Sequence, residues 1–594
     1  MKDFPYFALL RATLKYVGEY RARYLLALCG VTISSMIFLT QPYFMGQFFN
    51  AVQAGLSIEK NFTQAMLMLF FYFIAEPISW SIWMPSRLVE RQSGYFVRRN
   101  FVKFCYDRLQ RLPYAWHQNF HTGQLYDRVR KAESALEDFT SHQFRFIISV
   151  FNLIGPIVAL LILFKWFGLM AIAIAFVAGK MVLYFDKKLI PLYEQRNKLE
   201  HSYAGVFGDY LANIRTIIAL RLGRQTETEL LHRYEQRRST EWKEYRINEW
   251  KWCSVDVFAD FIIAAMIFLA IYMARDDAAL KIGNLVMLFQ YLVKFSGAFT
   301  SIGWIYQDVT KYAANYKSVA MIEEDYLNYK EAGLIAGENQ TTERTWQNIA
   351  IRELGFAYED SEHRPHALKD ISIDLKAGEK IAFVGESGAG KSTLMTVLRG
   401  LYRADKGSLT IDGQSYPDLS PLGAMTTFIP QDPEIFENTI RYNITFGVEH
   451  TDEEILNACR MAGFDNVLAD LPKGLESDIR EKGVNLSGGQ KQRLALARGV
   501  FAIENSSLIL MDEPTSSVDT LTELQIFDRL FTTFKDKTIV ASVHRLHLLP
   551  RFDCIYFMEK GSIIEHGSLN QLLTQKGKFA ALWQEYQEQQ HNNE

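Results

Sequence analysis

Six long apolar stretches dominate the first half of the chain, near residues 24–49, 64–84, 146–164, 166–185, 255–274 and 283–305. Each has about the 20 helical residues needed to cross a hydrocarbon core, so six membrane spans are predicted. Between spans two and three, and again between four and five, the apolar positions keep helical periodicity over residues 86–145 and 186–250. That pattern predicts membrane helices that continue past the bilayer and turn around short helices at their tips. Residues 4–22 are amphipathic and aromatic, which predicts an interfacial helix leading into the first span. After a polar stretch the pattern changes to short apolar runs, at 380–384, 507–511 and 538–542, followed by polar or glycine-rich turns and helical segments. Such runs read as buried strands of a parallel sheet. The expected organisation is a helical transmembrane domain over 1–330, a linker over 331–345 and an α/β domain over 346–594.

Charge orients the spans. Residues 86–145 carry 11 Lys plus Arg and residues 186–250 carry 12, whereas the opposite side has only Lys60, Lys165, Arg275 and Lys281. The positive-inside rule therefore places the two long segments in the cytosol. The net charge of −3 over 594 residues gives no basic stripe for nucleic acid, and no nucleic-acid-binding motif is present. Cys29, Cys105, Cys253, Cys459 and Cys554 are scattered without a CxxC pair and are expected to be buried free thiols. The N-terminal pattern is not that of a cleavable signal, nor of an Arg- and Ser-rich transit peptide.

Candidate chemistry sits in the α/β half. Residues 385–393 read Gly-Glu-Ser-Gly-Ala-Gly-Lys-Ser-Thr, between an apolar run and a helical pattern. In a strand–loop–helix unit, loop amides and the helix N-terminus wrap a phosphate chain. Gly385, Gly388 and Gly390 allow close backbone approach beside Ser387, and Lys391 is placed for the β- and γ-phosphates of ATP. Ser392 is placed for Mg²⁺ and Thr393 for the α-phosphate. Downstream, the run 507–511 ends in Asp512 and Glu513, two carboxylates where a parallel sheet ends beside that loop. Asp512 is read as a Mg²⁺ group and Glu513 as the group that polarises the attacking water.

Between them lies Leu486-Ser-Gly-Gly-Gln490, and beyond them Ser517-Val-Asp519 and His544. This ordered set resembles the nucleotide-binding domain of an ABC transporter, over about 190 residues. The resemblance implies that Tyr358 stacks on adenine and that Gln431 is the Q-loop glutamine, touching Mg²⁺ and the attacking water. It implies that Ser487, Gly488, Gly489 and Gln490 form a signature loop contacting ATP held by another cassette, that Asp519 belongs to the nucleotide site, and that His544 contacts the γ-phosphate. Residues 477–483, with Glu481, resemble the short loop by which exporter-type members touch the membrane domain. Residues 112–128 and 208–217 resemble the intracellular loops whose tips act as coupling helices.

The chain is thus identified as resembling an exporter-type half-transporter, one membrane domain followed by one cassette. The resemblance implies a second copy, because each ATP site needs two cassettes. A homodimer suffices since Lys391, Gln431, Ser487, Asp512, Glu513 and His544 are all present, and a heterodimer remains an alternative. Lipid, lipid-linked glycan, peptide or drug are the substrate classes implied, in a bacterial inner membrane. An importer on the same fold and an ATP-gated channel are the rival readings. Polar residues in or near the spans, Glu76, Arg87, Lys180, Asp256, Asp260, Gln290 and Lys294, with Trp304, are candidates for a substrate cavity, because charge in hydrocarbon is costly. Pairing of Glu76 with Lys294 is the structural alternative.

Overall fold

The computed structural model describes residues 5–120, 122–273, 281–332, 345–358, 367–432, 434–479, 486–503 and 506–591. Most of the 331–345 linker, Glu481, and His121 within the first intracellular loop lie outside them. Two compact units result: residues 1–112 with 119–334, and residues 113–118 with 335–594.

The first unit is helical. In chain order it contains α1 (Pro5–Tyr16), α2 (Arg21–Gln53), α3 (Glu59–Arg111), a short α4 (Tyr114–Gln118) that groups with the second unit, α5 (Thr122–Ser141), α6 (Gln143–Leu163), α7 (Lys165–Ala212), α8 (Ile214–Ala219), α9 (Gly223–Glu235), α10 (Arg238–Met273), α11 (Ile282–Lys317) and α12 (Ala320–Glu331). Six helical stretches, built on α2, α3, α6, α7, α10 and α11, are long and apolar enough to cross a membrane. α3 has 53 residues, about 80 Å of helix. That is more than twice the ~30 Å hydrocarbon core, so it extends well beyond the bilayer.

Small residues let these helices approach. Ser34 and Ser79 share a 2.5 Å hydroxyl contact between α2 and α3. A Cβ on Gly283 would lie 1.9 Å from the Gly46 carbonyl, so α2 and α11 touch through backbone. Close contact of this kind substitutes for the hydrophobic drive that lipid removes. The apolar stripe of α1 is buried against protein: Leu9 and Tyr16 are buried, and the helix packs on α3, α5 and α11. Tyr6 Oη donates to Gln143 Oε1 at 2.6 Å and its ring stacks on Phe146. Three of the five cysteines differ from expectation, Cys554 being half-buried. All are free, but Cys29 and Cys253 are exposed, because the helical period of α2 and α10 turns them outward with the apolar side chains of the lipid-facing surface.

The second unit contains β1 (Asn348–Phe356), β2 (Leu368–Lys376), β3 (Lys380–Val384), α13 (Lys391–Leu398), β4 (Lys406–Ile411), β5 (Gln414–Tyr416), α14 (Ser420–Ala424), β6 (Thr426–Ile429), α15 (Ile440–Thr445), α16 (Asp452–Met461), α17 (Asp465–Ala469), α18 (Gly488–Ile503), β7 (Leu508–Asp512), α19 (Thr520–Thr533), β8 (Thr538–Ser542), β9 (Cys554–Glu559), β10 (Ser562–Gly567), α20 (Leu569–Gln575) and α21 (Lys578–His591). One sheet has the order β10-β9-β3-β8-β7-β6, parallel except for the β10–β9 pair. The other is antiparallel, in the order β2-β1-β4-β5.

Every residue of β3, β7 and β8 is buried. Their side chains alternate between two cores: Ala382 and Val384 of β3 join the α-helical side, and Ile381 and Phe383 join the side of the antiparallel sheet. A strand covered on both faces needs apolar residues at every position, which is why these segments read as unbroken runs. The site lies where they end.

Candidate nucleotide site

β3 ends at Val384 and the chain turns through 385–390 into α13. Gly388 and Gly390 have φ of +82° and +102°, conformations that a residue with a Cβ adopts only at a cost. Gly390 is the N-cap of α13, so the first amides of that helix, which lack intrahelical partners, face the loop. Lys391 is buried, and its Nζ donates to the carbonyls of Gly385 at 2.7 Å and Glu386 at 3.1 Å. Burial pushes its pKa below the ordinary value, while the carboxylates of Glu513 and Asp512 act in the opposite sense. The amine therefore feels both acids.

Parallel pairing brings the acids there. Asp512 of β7 registers with Ser542 of β8. Ser542 Oγ donates to Asp512 Oδ1 at 2.6 Å and accepts from the Glu513 amide at 2.9 Å. Glu513 itself has φ of +44°, a left-handed conformation uncommon for such a residue. Backbone strain of that kind collects where a side chain must be aimed. Gln431, just past β6, donates from Nε2 to Glu513 Oε2 at 3.1 Å. Lys391, Gln431, Asp512 and Glu513 thus meet beyond the carboxyl ends of neighbouring strands, where open α/β sheets bind ligands.

The remaining residues fall around this centre. Tyr358 is exposed just after β1; its Oη lies 3.1 Å from Thr393 Oγ1, and its ring meets Phe356 and Tyr402 edge-on. Exposed Ser392 follows Lys391, and exposed His544 stands two residues past Ser542. Tyr402 also meets the ring of Tyr114 in α4 and donates to Gln118 Oε1 at 2.6 Å.

Ser487 and Gln490 form a reciprocal cap on α18. The Ser487 amide donates to Gln490 Oε1 at 2.8 Å and the Gln490 amide to Ser487 Oγ at 3.3 Å. The Ser-x-x-Gln spacing is the sequence signal for such a capping box. A Cβ on Gly489 would lie 2.5 Å from the Ser517 carbonyl, so glycine is what lets this helix start touch the 516–518 loop. Asp519 caps α19, accepting from the Thr522 amide at 2.9 Å, and that bond holds its carboxyl below the usual range. Among the described residues, no hydrogen bond or ion pair joins Ser487–Gln490 to residues 385–393.

Three residues outside the sequence reading organise the surroundings. Gln492 Nε2 donates to Ser516 Oγ at 2.8 Å, and its Oε1 accepts from the Ser517 amide at 2.8 Å. Arg545, next to His544, donates to the carbonyls of Val518 at 2.7 Å and Ser516 at 3.2 Å. Buried Glu523 accepts from Thr515 Oγ1 at 2.6 Å and pairs with Arg545 at 3.2 Å. Together they fix the 515–518 segment against α18 and the end of β8. For Gln492 and Arg545 the available signal was adjacency to a motif; for Glu523 it was a carboxylate on the buried face of α19.

The membrane candidates do not converge. Glu76, Lys180, Asp256, Asp260 and Trp304 are exposed, and Gln290 and Lys294 half-buried. Lys180 lies over the Phe176 ring, Asp256 accepts from Thr300 Oγ1 at 3.3 Å, and Trp304 stacks on Trp252 at 5.2 Å. No ion pair joins Glu76 and Lys294. Arg87 is committed to protein: it pairs with fully buried Glu90, donates to the Ser141 carbonyl at 2.9 Å and lies over the Phe144 ring. Two further buried pairs join α7 to α10, Asp186–Lys251 at 3.1 Å and Arg196–Glu244 at 2.7 Å.

Comparison with known proteins gives two family matches: the ABC transporter family over residues 368–516 and the ABC transporter transmembrane region over 24–299. The chain is 26% identical over 582 residues to the uncharacterized ABC transporter ATP-binding protein YwjA of Bacillus subtilis, covering 97% of this chain and 98% of that protein. It is 25% identical to a multidrug resistance ABC transporter ATP-binding and permease protein of Lactococcus lactis, over 96% of this chain and 94% of that one. Heavy metal tolerance factor 1 of Caenorhabditis elegans is 28% identical over 85% of this chain, which spans only 61% of that longer protein. The structure of a bacterial Atm1-family ABC exporter with ATP bound superposes with a TM-score of 0.82 at 22% identity, covering 96% of this chain and 98% of that one. That likeness concerns the fold.

Proposed function

The chain belongs to the ABC transporter family, as one membrane domain fused to one ATP-binding cassette, and from that premise we propose that two copies form an exporter of an amphipathic or hydrophobic compound. ATP hydrolysis drives the transport. The observation that carries the catalytic reading is the Gln431–Glu513 hydrogen bond beside Asp512 and Lys391.

The residues fit Mg²⁺ and a triphosphate. Ser392, Asp512 and Gln431 are oxygen donors suited to a hard cation, and the loop 385–390 with Lys391 supplies N–H groups and positive charge. Mg²⁺, when bound, neutralises charge on the phosphate oxygens. Lys391 turns from the carbonyls of its own loop toward the γ-phosphoryl group, His544 donates to the same group, and Glu513 orients the attacking water with Gln431 holding the carboxylate. Tyr358 offers its exposed ring to adenine.

Among the described residues no hydrogen bond or ion pair joins the capped start of α18 to the phosphate loop of its own chain. We assign Ser487 and Gly489 to the ATP site of a second copy, so that ATP joins two cassettes. Closure is passed to the spans through the short helices α4 and α8, and differential affinity for two conformations performs the switch. Export of a lipid, glycan-linked lipid, peptide or drug from a bacterial inner membrane is the reading adopted. The mixed signs of the charges in the spans argue against a cargo of high single-sign charge.

The test is ATPase activity of the full chain in lipid nanodiscs, wild type beside Glu513→Gln, across lipids, peptides, glycans and drugs. A wild-type rate altered by one compound class, with an inactive variant, identifies the cargo class. Equal hydrolysis by the variant overturns the catalytic assignment.

A further inference from the structure

A groove of about 570 Å³ lies between α7 and α10. It is lined by Lys188 and Leu192 from α7 and by Lys243, Arg246, Ile247 and Trp250 from α10. No acidic side chain lines it. Lys188 and Leu192 are one turn apart, and 243, 246, 247 and 250 recur at helical spacing, so each helix offers one continuous stripe.

Three nearby carboxylates are used elsewhere. Asp186 pairs with Lys251, Glu244 with Arg196 and Glu241 with Arg237, all at 3.1 Å or less. Lys188 donates to the phenol of Tyr184 at 2.7 Å. Among the described residues no carboxylate pairs with Lys188, Lys243 or Arg246, so three cations face one groove without counter-charge. Its depth in the bilayer follows from the sequence. Lys188 lies just past the apolar stretch 166–185 and Trp250 just before 255–274, on the side that basic residues mark as cytosolic. Exposed Trp250 is the kind of side chain that settles at the headgroup level.

We propose that this groove holds the headgroup of an anionic phospholipid from the cytosolic leaflet. Lys188, Lys243 and Arg246 surround the headgroup phosphate, Trp250 packs beside the glycerol, and Leu192 and Ile247 form the floor of the groove between the cations. The lipid is a resident ligand that bridges α7 and α10, distinct from the transported cargo. Basic pockets between membrane helices on the cytosolic side have the chemistry for this.

The test uses the full chain in phosphatidylcholine nanodiscs containing equal mole fractions of brominated phosphatidylglycerol or brominated phosphatidylcholine. The Trp250 signal is the quenching lost in Trp250→Phe. That signal should favour phosphatidylglycerol in wild type, and Lys188→Gln, Lys243→Gln and Arg246→Gln should each reduce the preference about fivefold. Reading the single variants separately keeps the result interpretable if the triple variant fails to fold. Equal quenching by both lipids overturns the proposal, as does a preference that survives all three substitutions. Relief of quenching by soluble glycerol phosphate would identify a free anion as the occupant, and protection of Trp250 from both lipids would identify a second copy; either result refutes the lipid site.

Discussion

The cassette and the helical unit use buried charge in opposite ways. In the cassette, Lys391 and Asp512 are buried beside Gln431 and Glu513 with hydrogen-bonding capacity directed at a ligand. In the helical unit, buried Asp186 and Lys251 pair across the α7–α10 contact, Glu244 pairs there with Arg196 and Glu90 with Arg87 within α3, while Glu76, Lys180, Asp256 and Asp260 stand exposed. The difference follows from support. A parallel sheet fixes several strand ends within a few ångströms and leaves the space beyond them open. Where two helices pack directly side by side there is no such opening at the contact, so a charge buried there survives only by pairing. Charge in the first region gathers at an open strand end, where the proposed chemistry needs it, and in the second it braces.

The sharpest way to break this contrast is Glu513→Gln. Hydrolysis should fall about 10²-fold or more, with ATP affinity and thermal stability unchanged; a matching loss of stability would put Glu513 among the braces. The reverse experiment is Lys251→Ala, which leaves Asp186 buried without its cation. Destabilisation of about 3–5 kcal/mol is expected in a thermal unfolding assay in detergent, and the double change Asp186→Leu with Lys251→Met should regain most of it. Failure of the double variant to recover would mean that the pair does more than brace.

Gln492→Ala sharpens the cassette side. Loss of its bonds to Ser516 and Ser517 should lower kcat for ATP about tenfold with little change in KM, because Gln492 acts on the 515–518 segment and touches no nucleotide. A rise in KM with kcat intact would contradict that positioning role. The smallest effect is expected from Asp256→Asn. Exposed on α10 with one 3.3 Å partner, it should change stability by no more than about 0.5 kcal/mol; a larger loss would show that it, too, is a brace.

Much of this was legible before any coordinates. Six spans followed from apolar length, and the strand–loop–helix at 380–398 from an apolar run, glycines and a helical period. Lys391, Asp512 and Glu513 were singled out because phosphate chemistry needs those residue types in that order, and the fold brings them together. Asp519 illustrates a limit: its place in a motif suggested the nucleotide site, and the cap its carboxylate makes on α19 was not read from the sequence. Ser542, Gln492, Arg545 and Glu523 were not found, because each acts through a partner far away in the chain. Ser542 matters only because β7 and β8 pair with Asp512 opposite it.

The sequence by itself determined local matters: which segments are apolar enough for membrane or sheet, where glycines permit a phosphate loop, and which side of the spans is basic. These depend on neighbours within a few residues. Only the tertiary structure decided that Gln431 reaches Glu513, that Ser542 joins Asp512 to the Glu513 amide, that Arg87 belongs to Glu90, and that Lys188, Lys243 and Arg246 share a groove. Register between strands and the faces two helices present to each other are set by packing over the whole unit, and no local pattern encodes them.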